Sequence, residues 1–228
     1  MSFFKKKIAR VKKAPTKSGA TIPLHISKMT LKQVRWWQAE IQPVIDELPN
    51  RADKYWNWVL IAASTNVIGR LFTRKPTGIS IGIKIGQNFV PVALLQLVSK
   101  FPYLKNPEQK SAFIWYLSVA PKEALLQLEG IEIKEDLLPK RLGSIALDTA
   151  VVYAMNHRYK GRTALHADEE GGDQLLDWYI ARGMQIFPKN DDLDIGIRSI
   201  IVPNDGRYCY YSEEGAREEI KEFNPLRS

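Results

Sequence analysis

The feature that most constrains this chain is a change of hydrophobic period near residue 79. From there the apolar residues fall on every second position, Ile79, Ile81, Ile83 and Ile85, with Ser80, Gly82 and Lys84 between them. A period of two buries one face of an extended strand. Gly86-Gln87-Asn88 supplies a turn, and residues 89–98 return as the partner strand. Before this hairpin the period is helical. Val34, Trp37, Ile41, Val44 and Leu48 form one apolar stripe. Thr30 opens that helix, with Gln33 placed to complete a capping box. Pro43 is expected to kink it and Pro49-Asn50 to end it. A second helix is expected over residues 52–72, closed by Pro76-Thr77-Gly78.

The remaining punctuation extends this pattern. Residues 22–29 and 113–119 read as strands, the latter stopped by Pro121. Residues 122–139 are acidic and leucine-rich, an insertion with a short helix. A helix over 143–158, a strand over 162–167 and a helix over 173–182 follow, with Gly183 as its C-cap. Short strands are expected at 184–187, 199–202 and 207–211, the last two joined by Asn204-Asp205-Gly206. A helix from Glu213 ends the chain. This order defines a mixed α/β (α+β) domain around a central sheet. It lacks the regular alternation and the Gly-rich loops of nucleotide-binding folds.

Charge is concentrated at one end. Residues 1–20 carry seven lysines and arginines and no acid, against a net charge of +8 for the chain. The rest is therefore close to neutral. Residues 1–20 read as a basic, flexible arm able to contact nucleic acid or an anionic partner, and residues 21–228 as one domain, with residues 190–228 its C-terminal strands and helix. With 45% hydrophobic and 25% charged residues, the chain has the composition of an ordinary globular protein. No apolar run approaches a membrane span, and no secretory signal is evident, so a cytoplasmic location is expected. The single Cys209 excludes an intramolecular disulfide and sits in an aromatic strand, where packing is its expected role. His25, His157 and His166 are scattered, so no metal site is expected. The acidic run Asp191-Asp192-Leu193-Asp194 reads as a solvated loop.

One stretch carries a more specific signal. Residues 161–167 (Gly-Arg-Thr-Ala-Leu-His-Ala), followed by Trp178-Tyr179 and Gly183-Met184, resemble the C-terminal motif of the GNAT acetyltransferase superfamily. Residues 113–121 resemble that family's splayed fourth strand, and Arg141-Leu142-Gly143-Ser144 its pyrophosphate loop. The resemblance implies a mostly antiparallel, twisted sheet of about six to seven strands flanked by helices and splayed near the fourth strand. It implies acetyl-CoA as co-substrate and an amine-bearing acceptor, and it is compatible with a homodimer. Leu117, Ser118 and Val119 would pair with the pantetheine amides. Lys140, Arg141, Gly143 and Ser144 would hold the pyrophosphate at a helix N-terminus. Tyr179 would give a proton to the departing thiolate, and Asp168 or Glu169 would serve as base. The loop departs from the family pattern by one missing glycine. That departure motivates a second expectation, a catalytically degenerate binding module that uses the basic arm.

Overall fold

The computed structural model describes residues 7–71, 76–193 and 204–228, with the backbone alone described for 65–71. The strand expected at 199–202 and Asp194 lie outside the described residues. Among the described residues eight strands form one sheet, more than the six or seven expected, in the order β1 (Lys13–Pro15), β2 (Thr21–Lys28), β3 (Pro76–Ile85), β4 (Asn88–Tyr103), β5 (Asn106–Val119), β6 (Thr163–His166), β8 (Tyr208–Tyr211), β7 (Gln185–Ile186). The additional ones are short: β1 (Lys13–Pro15) on one edge and β7 (Gln185–Ile186) on the other. All neighbours pair antiparallel except β5 and β6.

The first half follows its local signals with two corrections. β2 (Thr21–Lys28) leads to α1 (Leu31–Glu40) through the expected capping box: Gln33 N–H donates to Thr30 Oγ1, and Thr30 N–H donates to Gln33 Oε1. Pro43 breaks the helix rather than kinking it, because a proline fits the first turn of a new helix but not an interior. A separate α2 (Gln42–Glu47) therefore starts there. The next helix starts at Trp58, not at residue 52, giving α3 (Trp58–Leu71). Asn57 caps it, accepting Leu60 N–H on Oδ1 and Ile61 N–H on its carbonyl, so residues 51–57 are left as a loop. That loop reaches the functional site.

β3 (Pro76–Ile85) and β4 (Asn88–Tyr103) form the expected hairpin. β4 then turns at Leu104-Lys105 into β5 (Asn106–Val119), a second and longer hairpin. Its outer part escapes sequence pattern because Pro102 and Pro107 interrupt it. The structure absorbs them with register shifts at Val98/Phe101 and Pro102/Tyr103, and Ser111 Oγ donates to the Phe101 carbonyl.

The insertion holds α4 (Lys122–Leu126) and a 3-10 turn at Glu135–Leu137, and its Leu125, Leu128, Ile133 and Leu138 enter the core. α5 (Leu142–Asn156) is buried on almost every side. β6 (Thr163–His166), α6 (Gly172–Ile180), β8 (Tyr208–Tyr211) and α7 (Glu213–Phe223) complete the domain.

Within the basic segment, residues 8–15 pack on the domain. Val11 and Ala14 are buried, and residues 13–15 are strand. Asn156 brackets Ile8, accepting its N–H and donating to its carbonyl, and Arg227 donates to the Ala9 carbonyl. Apolar residues at 8, 11 and 14 give this stretch something to bury.

Candidate active site

The one parallel pair among the described strands makes the site. β5 and β6 are in register only from Ala112–Thr163 to Ile114–Leu165. Beyond Ile114, among the described residues, the rest of β5 pairs with β4 alone, so a gap opens between β5 and β6. Ala120 N–H donates to the Val92 carbonyl, toward β4. Alternation then turns the backbone groups of Leu117 and Val119 into the gap and those of Ser118 toward β4. Of the three residues expected to meet pantetheine, two thus present backbone to the gap. One group there is already taken: Arg51 Nη2 donates to the Val119 carbonyl at 2.9 Å.

Register also assigns the two faces, because directly opposed residues share one. Ser118 opposes Leu94, and Tyr116 opposes Gln96. Leu94 belongs to the cluster of Trp37, Trp58 and Ile61, so this face carries α1 and α3. Leu117 opposes Leu95, which clusters with Leu147, Ala150 and Val151, so the other face carries α5.

On the α5 face stands Tyr179, on α6 and only 7% exposed. It packs in the cluster of Leu165, Cys209 and, at its margin, Leu117. Its hydroxyl has no hydrogen-bond partner among the described residues. Burial raises its pKa above the ordinary tyrosine value, and Cys209 and Asp53 add to this. The tyrosine therefore holds its proton through the neutral range. Burial likewise pushes the Cys209 thiol up to about 12, which keeps it protonated and unreactive.

The N-terminus of α5 also lies on this face. Its first helical bond runs from Ile145 N–H to the Arg141 carbonyl, leaving the N–H groups of Leu142, Gly143 and Ser144 as the donors of the first turn. Ser144 Oγ is buried with no partner. Trp178 lies across this end: a Cβ on Gly143 would stand 3.0 Å from its Cζ2. Arg141 turns the other way, pairing with Glu222 and lying 4.6 Å over the Phe223 ring. Lys140 is exposed, and its N–H donates to the Pro15 carbonyl. Gly143 and Ser144 are thus at the helix N-terminus as expected, while Arg141 is engaged elsewhere.

The opposite face is polar. Asp53, 5% exposed, accepts from Arg51 Nε at 2.7 Å and Nη2 at 2.5 Å, and from Ser118 Oγ. Half-buried Trp56 meets Tyr116 edge-on at 4.9 Å, and Trp115 stacks parallel to Tyr116. His166 Nε2 lies 3.1 Å from both carboxylate oxygens of Asp205. The proposed base Asp168 accepts Glu170 N–H and so caps its own 3-10 turn, while Glu169 is exposed in that turn.

Arg51 and Asp53 escape sequence reading because a helix was expected there; the Arg-x-Asp spacing just after Pro49-Asn50 is the signal for a loop. His166 and Asp205 are 39 residues apart, and no local pattern joins them. Among the described residues no cluster has metal-ligand geometry, and no helix is long and apolar enough to cross a membrane.

The arrangement is a mixed α/β domain whose mostly antiparallel sheet is split at its one parallel pair, as the resemblance to the GNAT superfamily implies. No protein-family model matches the sequence, and no curated protein does. Solved structures to which the chain is similar include the following three. Spermidine N-acetyltransferase from Vibrio cholerae in complex with CoA and spermine is 11% identical, with a TM-score of 0.49 over 85% of this chain and 98% of that one. FdhC, a nucleotide-linked sugar GNAT, is 12% identical, with a TM-score of 0.47 over 97% of this chain and 100% of that one. A mutant of the toxin AtaT, bound to acetyl-CoA and the C-terminus of its antitoxin AtaR, is 10% identical, with a TM-score of 0.44 over 86% and 96%.

Proposed function

We propose that this chain is an acyltransferase that moves the acetyl group of acetyl-CoA to a primary amine. The observation that carries the reading is Tyr179: a side chain only 7% exposed, with no hydrogen-bond partner for its hydroxyl among the described residues, beside the opening where β5 leaves β6. Such a hydroxyl keeps its proton available to a ligand. A departing thiolate is such a ligand, and Tyr179 is its proton donor.

The two faces divide the work. Acetyl-CoA enters from the α5 face, its pantetheine amides pairing with the Leu117 and Val119 backbone. Its pyrophosphate oxygens take the N–H donors at Gly143 and Ser144, where the helix dipole also favours negative charge. Trp178 has to swing off Gly143 to admit them. The amine enters from the α1 and α3 face, between Trp56, Tyr116 and the Asp53 loop. It attacks the thioester carbon, the C–N bond forms, the C–S bond breaks, and sulfur takes the Tyr179 proton.

Isothermal titration with acetyl-CoA tests the reading: saturable binding is expected, and no heat at millimolar ligand would sink it. A second reading keeps the scaffold as a binding module for an anionic partner such as nucleic acid, through the N-terminal basic residues. The observation in its favour is Arg51, which fills the Val119 carbonyl that pantetheine would use. That reading expects no acetyl-CoA binding in the same titration, and loss of an oligonucleotide complex when residues 1–7 are removed.

A further inference from the structure

The geometry points to His166 as the base that takes the proton from the attacking amine, with Asp205 as its positioning residue; this rests on the acyltransferase reading above. His166 is the last residue of β6, one step past Leu165, where the pairing with β5 ends. It therefore stands where the gap opens. It opposes Tyr208 in β8, and its ring meets Tyr208 edge-on at 4.7 Å. Tyr208 packs with Phe113, which opposes Val98. Val98 lies an even number of residues along β4 from Leu94, so His166 belongs to the face of Ser118 and Tyr116. Leu165 and Cys209, paired on the opposite face, pack with Tyr179. Base and acid thus flank the gap from its two faces, as an amine entering on one side and a thiol leaving on the other require.

Protonation follows from the partners. Asp205 accepts on both oxygens from Nε2, so the proton of neutral imidazole sits on Nε2 and the lone pair on Nδ1. Nδ1 has no hydrogen bond among the described residues. Asp205 is held in turn, its Oδ1 accepting Arg207 N–H at 2.9 Å. Arg207 sends its guanidinium away from the ring, to the carbonyls of Ala167, Asp168 and Gly172 and to the Asp173 carboxylate. Asp168, two residues along, caps its own turn. Among the described residues, the charged and titratable groups around His166 are then Asp205, Arg207, Asp168 and Tyr208, and of these Asp205 binds the ring.

The proton balance closes. An alkylammonium gives one proton to His166 Nδ1, which passes it to water. The neutral amine attacks, and its nitrogen becomes cationic in the tetrahedral adduct. As the C–S bond breaks, sulfur takes the Tyr179 proton, and the second nitrogen proton restores Tyr179. The third stays on the amide.

The test compares the full-length chain with His166→Asn, His166→Gln and Asp205→Asn. Two acceptors are used: butylamine, protonated at pH 7, and hydroxylamine, neutral there. Acetyl-CoA binding is titrated for each protein. Expected for His166→Asn is a fall in kcat/KM for butylamine of about 10²–10⁴ at pH 7, recovering toward high pH, with acetyl-CoA affinity unchanged. With hydroxylamine, which needs no prior deprotonation, the fall should be under tenfold. Asp205→Asn should give a smaller loss of the same kind. Where His166→Asn does not fold, His166→Gln and Asp205→Asn carry the comparison. An unaltered pH profile, an equal loss with both acceptors, or no turnover of either amine by a parent that binds acetyl-CoA overturns the base. A parent that binds no acetyl-CoA overturns the acyltransferase reading instead.

Discussion

Two groups of buried polar residues can be set side by side: one around the gap between β5 and β6, the other in the seam between α5 and α7. In the seam, Asp148 is fully buried and accepts from Arg227, whose guanidinium also holds the Ala9 carbonyl. Glu219 is buried nearby, and Tyr211 spans outward to donate to the Arg182 carbonyl. Every strong contact here joins chain segments, so the seam ties the N-terminal segment, α5 and the C-terminal residues together. Around the gap, Tyr179 Oη and His166 Nδ1 have no hydrogen bond among the described residues. Unpartnered buried atoms occur in the seam as well, at Asp148 Oδ2, Glu219 Oε1 and Arg227 Nε, so what sets the first group apart is its position at the break between β5 and β6.

Four measurements can break or sharpen that contrast. The largest effect is expected from Tyr179→Phe. It should cut kcat by about 10²–10⁴ while leaving the melting temperature nearly unchanged, since the hydroxyl has no partner to lose. A large loss of stability would move Tyr179 into the structural group. Arg227→Ala should do the reverse. It removes the partner of a buried carboxylate and should lower unfolding free energy by about 3 kcal/mol in urea titrations, with the acetyl-CoA affinity of the folded fraction retained.

The third measurement is pH dependence. Burial raises Asp148 to about 6 and Glu219 to about 7, against the lowering effect of Arg227 on the first. The folded protein thus keeps protons that the unfolded chain releases near pH 4. Stability then falls as pH rises from about 4 through 7 and levels off above, by up to roughly 3 kcal/mol per group. Urea midpoints at pH 5 and pH 8 check the sign, and Asp148→Asn should flatten the slope. The smallest effect concerns Gly143→Ala. The added methyl would press on Trp178 at 3.0 Å and cost about 1 kcal/mol, with a weaker grip on acetyl-CoA, read by calorimetry.

Much of the scaffold was legible along the chain. Alternating isoleucines made the β3 strand readable, Thr30 and Gln33 the start of α1, and Trp178-Tyr179 with Gly183 the helix of the candidate acid. Each signal involves residues within a few positions of one another, where periodicity and capping act directly. Where local rules compete, the sequence misleads. The helical stripe of Trp58 and its neighbours masked the loop over residues 51–57, and the prolines of β4 and β5 hid half of a hairpin.

The sequence by itself determined the element order, the mixed α/β class and the position of Tyr179, because apolar period and cap chemistry are properties of neighbouring residues. Only the tertiary structure decided which polar groups meet. Asp53 reaches Ser118 across 65 positions, Asp205 reaches His166 across 39, and Asn156 takes hold of Ile8 across 148. Those pairings depend on strand order, on register and on where β5 parts from β6. A slip of one residue in that register would turn Ser118 and His166 to the other face.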